Sequence, residues 1–219
     1  ATLLAGHAAA LAEAQFSPAG FGSDDKALDK LIEFPDLRGD TAAAVSCLGI
    51  LEGNGKFDEH GCYRVNPGDD AFIAPILKVI KKARFKPATY DGRAVNVVFQ
   101  YRVQFIKKGD EQAIRLIANP GYEENVDAYG VDHVAAQRVW QKETWYSACP
   151  RQANFLVLAR ANVDYDGRPG AASFEHVSGL PITEKCRAAL EQNLLNSRFI
   201  PAHADGEPVP STYVEPFGS

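Results

Sequence analysis

The apolar and polar positions of this chain follow one ordered pattern and then follow it again. Ala43 to Leu51 is apolar, Asn54-Gly55 is a turn dipeptide, and Phe57 to Val65 returns, so a β-hairpin is expected first. A helix should follow to about Ala83, capped by Asp69 or Asp70, with Phe72, Ile73, Ile76, Leu77, Ile80 and Ala83 at helical spacing. Pro75 falls near its first turn, where proline costs least. Beyond Pro87 and the turn Asp91-Gly92, the chain alternates. Val95, Val97, Phe99, Tyr101, Val103 and Phe105 point one way and Asn96, Gln100, Arg102 and Gln104 the other, which predicts a strand with one buried face.

The second pass keeps this order. Phe155, Val157, Ala159, Ala161 and Val163 alternate toward Asp166-Gly167, and Ala171 to Val177 returns. A helix is expected from about Pro181 to Asn196, with Ile182, Cys186, Ala189, Leu190 and Leu194 on one face and the proline at its start. Asp205-Gly206 then turns the chain into a last strand near Val209 to Val214. Arg84 to Val95 and Arg198 to Val209 are identical at seven of twelve positions without a gap: Arg84, Phe85, Pro87, Ala88, Asp91, Gly92 and Val95 match Arg198, Phe199, Pro201, Ala202, Asp205, Gly206 and Val209. The hairpin turns match as well, Gly55 with Gly167, so the repeat is a whole supersecondary unit. In each, the phenylalanine closes the core at the helix end, the proline stops the helix, and Asp-Gly reverses the chain.

The organisation expected is an α+β fold of two tandem units, each a three-stranded antiparallel sheet with one helix packed on a face. Residues 1–33 form a lead-in with a helical patch from Asp25 to Phe34, 34–106 the first unit, 107–149 an interrepeat segment, and 150–219 the second. Within the interrepeat segment, Gln112 to Ala118 continues the strand system and Pro120 to Gly130 is loop-like. Val131 to Trp145 is expected to be a helix whose Trp140 and Trp145 dock it on a domain.

Four cysteines, Cys47, Cys62, Cys149 and Cys186, allow three pairings. A two-residue turn at Asn54-Gly55 sets Cys47 opposite Cys62, at the ~4.5–5.5 Å Cα separation of directly opposed strand residues, which a disulfide tolerates. Cys149 with Cys186 follows by elimination. Such bridges imply an oxidising compartment. The stretch Ala1 to Gln15 resembles either the tail of a signal peptide, with Ala12-Glu13-Ala14 as a small-x-small site, or a short helix of a protein cut further upstream.

A net charge of −5 spread along the chain, with 46% apolar and 23% charged residues, is that of an ordinary globular protein and offers nucleic acid no cationic face. The one basic cluster, Lys78, Lys81, Lys82, Arg84 and Lys86, lies at a helix end, where cations suit the dipole. No stretch of 18 apolar residues is present to span a membrane. A catalytic constellation is absent: His7, His60, His133, His176 and His203 are scattered, and no H-E-x-x-H, G-x-S-x-G or phosphate loop occurs. Asp164-Tyr165-Asp166-Gly167 with Glu175 echoes a calcium loop, but Arg168 and Pro169 occupy positions that a calcium site needs for a ligand and a glycine. Neither an enzyme nor a cofactor or metal is therefore expected.

The order hairpin, helix, R-F-x-P-A, D-G turn and closing strand resembles the C-terminal domain of the TonB family, periplasmic energy transducers of Gram-negative bacteria. Asp205-Gly206-Glu207-Pro208-Val209-Pro210 is close to the family pattern, whereas the first copy has Ala94 in place of the proline. The resemblance covers roughly residues 34 to 106 and 150 to 215. It implies a periplasmic protein-interaction module that adds an extended segment of a partner, such as an outer-membrane receptor, to a sheet edge. The edges implied are the closing strands, at Val97, Phe99, Tyr101 and Val103 and at Thr212 and Val214. Lacking the anchor and Pro-rich linker of a transducer in its sequence, the chain is expected to act as an adaptor or accessory subunit of an envelope or transport complex. The alternatives are a structural subunit buried in a larger membrane complex and, further off, a hydrolase or small-ligand-binding protein.

Overall fold

A computed structural model describes residues 15–36, 38–66, 70–142, 145–149 and 154–218. The reading of residues 1–14 and the capping role of Asp69 lie outside the described residues, as does that of the Asp70 side chain.

The lead-in supplies two short strands, β1 (Phe16–Ser17) and β2 (Gly20–Phe21), and one helical turn, α1 (Leu28–Leu31). The first hairpin is β3 (Thr41–Leu51) and β4 (Phe57–Asn66), followed by a 3-10 turn and α2 (Ile73–Val79). The motif region makes β5 (Phe85–Lys86), β6 (Ala88–Tyr90) and β7 (Arg93–Val95), and the long alternating run is β8 (Val97–Lys108). Then come β9 (Glu111–Ile117), α3 (Glu123–Tyr129) and β10 (Gln137–Val139). The second hairpin is β11 (Phe155–Val163) and β12 (Pro169–Gly179), with α4 (Glu184–Leu195) behind it. The chain closes with β13 (Phe199–Ile200), β14 (Ala202–Ala204), β15 (Glu207–Val209) and β16 (Ser211–Gly218).

The expectation of two three-stranded units with one helix each is overturned. The described chain is mostly β, with a six-stranded sheet, a three-stranded sheet β12-β11-β16, further small ribbons and four α-helices. In the large sheet the order is β13-β10-β8-β3-β4, with β9 also on β8. The reason lies between the repeats: β9 and β10 both pair with β8, and β10 pairs on its far side with β13 of the second copy. One sheet therefore runs across the boundary drawn between the units. In the segment read as a helix, the described residues 131–142 form none; they are extended around β10, because sheet pairing overrides the helix propensity of the alanines. The helix is instead α3, in the stretch read as loop, with Glu123 and Glu124 in its first turn and Gly130 at φ +78 ending it.

The lead-in is itself repeated. β2 pairs with β5 at Phe21 and Phe85, and β10 pairs with β13 at Arg138 and Phe199. Ser17 lies opposite Thr89, and Val134 bridges His203, so Val134 and Arg138 stand where Ser17 and Phe21 do, both 117 positions further on. Sequence comparison misses this copy, since a two-residue edge pairing needs backbone and not particular side chains.

Two cores result. Val45, Cys47, Phe99, Tyr101, Val103 and Phe105 of the large sheet pack with Leu28, Ile76 and Phe85, and Val157, Ala159, Cys186, Leu190, Leu194 and Tyr213 form the second. Thr183 caps α4, its hydroxyl accepting from the Cys186 N–H at 3.2 Å, so Pro181 precedes the helix. The disulfides Cys47–Cys62 and Cys149–Cys186 tie β3 to β4 and the 3-10 turn at Trp145–Ser147 to α4.

One device recurs in both halves. Phe85 N–H donates to the Gly55 carbonyl at 3.0 Å, and Phe199 N–H to the Gly167 carbonyl at 3.2 Å, so each motif phenylalanine is pinned to its own hairpin turn. Gly55 (φ +77) and Gly167 (φ +73) are left-handed, and a Cβ on either would run into the carbonyl oxygen of that phenylalanine. Gly206 (φ +88), in the Asp205-Gly206 turn, has open space instead. Gly167→Ala should accordingly cost about 2 kcal/mol or more in denaturant unfolding, and Gly206→Asn less than about 1 kcal/mol. Equal losses at the two positions would show that close approach does not fix Gly167.

Candidate functional site

The strand edges are where the TonB resemblance implies a partner. β8 is not an edge: β3 covers one side from Val97 to Lys107, and on the other β10 pairs with Val97 and Val98 and β9 with Arg102 to Lys108. Val97, Phe99, Tyr101 and Val103 are fully buried. The outer side of β16 is an edge in strand order, but side chains close it. Asn125 on α3 donates to Thr212 O at 2.7 Å and accepts from Thr212 N at 3.1 Å, Gln100 donates to Val214 O at 2.6 Å, and the Tyr129 hydroxyl donates to Pro210 O at 2.6 Å. Pro216, next on that side, has no N–H to offer. The outward N–H and carbonyl of Thr212 and the carbonyl of Val214 are thus already engaged by side chains, where the resemblance implied an open edge.

β12 is different. Because Thr212, Val214 and Pro216 face away from β11, the register turns Glu175 and Ser173 toward β11 and leaves Ala172, Phe174 and His176 facing outward. No described strand pairs with that side. Beside it, Val177 and Leu180 are exposed, and Tyr165 stands exposed at the hairpin tip. Sequence alternation marked β12 as a returning strand and carried no signal for which side would stay open.

The two halves meet at a buried ion pair. β10 places the Arg138 guanidinium against Glu215 on β16, Nε to Oε2 and Nη2 to Oε1 both at 2.8 Å, and the Tyr213 hydroxyl donates to Oε2 at 2.5 Å. The Phe217 ring lies 5.9 Å from the guanidinium carbon. The side chains of Arg138 and Glu215 are only 1% and 6% exposed, so each charge depends on the other. Burial, reinforced by the Glu215 charge, raises the Tyr213 pKa well above its usual value and keeps the phenol protonated. On the same strand Gln137 accepts from Ala19 N at 2.8 Å and donates to Ala19 O at 2.9 Å, stitching the lead-in to the junction.

Beside this pair opens a groove of about 500 Å³, bounded by the turn ends of β3 and β4, the tail of β16 and the segment holding Trp140, Lys142, Trp145 and Tyr146. His60 lines it, its Nε2 2.7 Å from the Tyr101 hydroxyl. Burial lowers the His60 pKa to about 4 and raises that of Tyr101. Cys47, His60 and Cys62 offer three ligand atoms within 4.8 Å, but the disulfide between the cysteines leaves no thiolate for a metal.

Other candidates are structural. Asp164 accepts from the N–H groups of Asp166 at 3.0 Å and Arg168 at 2.8 Å, serving the hairpin turn, and Glu175 pairs with Arg160. Trp145 is buried edge-on to Phe217, which is a docking role, whereas Trp140 lines the groove. Of the basic cluster, Lys78 bonds Glu33 across the surface at 2.9 Å. Arg138, Glu215, Gln137, Gln100 and Asn125 carry the junction and none is in the repeated motif; a lone arginine in an apolar stretch was the only sequence signal. No protein family, curated protein or solved structure matches the chain.

Arg138→Met should destabilise the chain by about 3–5 kcal/mol, and adding Glu215→Gln should restore a large part of that loss, because the stranded carboxylate causes it. Chemical denaturation of the single and double variants measures the coupling; additive losses would contradict it. His60 has a folded-state pKa below its usual 6.5, so the stability of its neutral form is whole above pH 6.5 and is lost as pH falls toward 4. Between those values the protein should lose on the order of 2–3 kcal/mol that His60→Asn does not lose. An NMR midpoint of His60 near 6.5 would refute the shift.

Proposed function

We propose that this chain is a periplasmic protein-binding module, an adaptor or accessory subunit of an envelope complex, that captures an extended partner segment along β12. The observation carrying this reading is the contrast between the two edges of the β12-β11-β16 sheet. Side chains close the outer backbone of β16, and β8 is enclosed on both sides, while β12 keeps Ala172, Phe174 and His176 unpaired by any described strand. Exposed long edges are normally blunted, so one left open beside Val177 and Leu180 fits strand addition, with backbone bonds giving affinity and alternate pockets giving specificity. Two disulfides fit an oxidising, extracytoplasmic compartment. No described helix is long and apolar enough to cross a membrane. The resemblance to TonB C-terminal domains supports the same class of activity, at a different edge from the one it first suggested.

Photo-cross-linking residues placed at Ala172, His176 or Thr212 test this in intact cell envelopes. Adducts with a single envelope protein are expected from positions 172 and 176 and not from 212. Phe174→Pro should abolish them, since its N–H faces outward and its loss spares the ladder to β11. Equal labelling from 212, or adducts that survive the proline in a folded protein, would sink the reading.

A further inference from the structure

We propose that the end of α2 and the turn after it form a surface that seats the protein on a bilayer rich in anionic phospholipid, independently of the partner captured along β12. The helical turn continues past α2, since Ile80 N–H donates to Ile76 O at 3.0 Å and Ala83 N–H to Val79 O at 3.1 Å. Ile76, Val79, Ile80 and Ala83 are buried in the first core, and Leu77, Lys78, Lys81 and Lys82 lie exposed on the other side of the turn. Leu77 is 45% exposed among these lysines. That is the combination of a segment resting in a membrane interface, an apolar side chain entering the lipid and cations on its headgroups. No described helix is long and apolar enough to cross a membrane, so the contact is peripheral.

The helix dipole does not account for these lysines. Arg84 fills that role, its guanidinium donating to the Ala83 carbonyl at 2.9 Å where the helical turn ends. The second copy supplies the comparison. At an offset of 114 it keeps the arginine, as Arg198, and buries Leu190, Asn193, Leu194 and Ser197 where the first copy buries Ile76, Val79, Ile80 and Ala83. Yet Glu191, Gln192, Leu195 and Asn196 stand in place of Leu77, Lys78, Lys81 and Lys82, and α4, the longer helix, has no basic residue in its last turn. A helix with the same place in the fold thus needs no lysine there. Within the fold Lys78 pairs only with Glu33, and with side chains 65% and 77% exposed that pair is worth little. The side chains of Lys81 and Lys82 have no partner among the described residues, which leaves both charges free for headgroup phosphates.

Cosedimentation of the full chain with phosphatidylcholine vesicles, with and without phosphatidylglycerol, tests this. Binding is expected only where phosphatidylglycerol is present, and it should fall as salt is raised. Lys81→Gln with Lys82→Gln should weaken it roughly thirtyfold, each cation near an anionic surface contributing about a factor of five. Leu77→Ser should weaken it roughly fivefold, through lost apolar contact with the lipid. These side chains are exposed, so the variants should keep the melting temperature of the parent. Lys108→Gln with Lys185→Gln removes the same charge from exposed positions elsewhere and should bind within about twofold of the parent. No binding to phosphatidylglycerol vesicles, equal binding to phosphatidylcholine alone, or equal losses from the two lysine pairs would each overturn the proposal. Capture by polyglutamate through Lys81 and Lys82 without binding to the vesicles would overturn it too, assigning the surface to an acidic protein segment.

Discussion

The structure turns on a single buried cation. Arg138 enters the interior on a three-residue strand, and the only way to keep a guanidinium there is to give it a carboxylate and fill the remaining geometry around it. Glu215 supplies that carboxylate from the last strand of the second half, while β10, carrying Arg138, is paired on one side with β8 of the first half and on the other with β13 of the second. The placement of β16, the closure of its edge and the position of the groove all follow. An apolar side chain at position 138 could occupy the same strand, but it would not specify where the closing strand of the other half must lie.

The repeated motif does a different job. Its phenylalanines, Phe85 and Phe199, are held by backbone bonds to the glycines of their own hairpin turns and receive a short strand from the preceding segment. Each copy thus needs a lead-in, and the second copy takes its own from the chain that joins the two. That joining segment is consequently part of the fold and not a tether. A long connection without structure of its own would be unusual in a compact protein, and here β9, α3 and β10 explain its length.

Edge management gives the molecule its polarity. Asn125, Gln100 and Tyr129 act as a substitute strand along β16, giving hydrogen bonds to backbone groups that would otherwise recruit another chain. The outer side of β12 is paired with no described strand. The two edges of the β12-β11-β16 sheet therefore differ, one closed by side chains of the joining segment and of the first half and one paired with no described strand.

Local chemistry was legible in the sequence. Cys47 lies opposite Cys62 as the strand alternation implies, although the turn is a three-residue loop in which Glu52 closes on Lys56 and a register shift between Gly49 and Leu51 restores the pairing; the Asp-Gly pairs adopted the left-handed conformations they favour, with Asp91 at φ 49 and Asp205 at φ 53, and α2 and α4 lie within the stretches that helical spacing marked. These depend on neighbours a few residues away or on one turn. What β8 pairs with, that residues 131–142 are extended around β10, and that side chains bond the outer backbone of Thr212 and Val214 were decided by the tertiary structure alone. Those outcomes depend on backbone groups finding partners across more than thirty residues, as β8 meets β10, or nearly ninety, as the Thr212 backbone meets the Asn125 side chain. Backbone groups are the same at every position, so a sequence cannot say which of them will find one another.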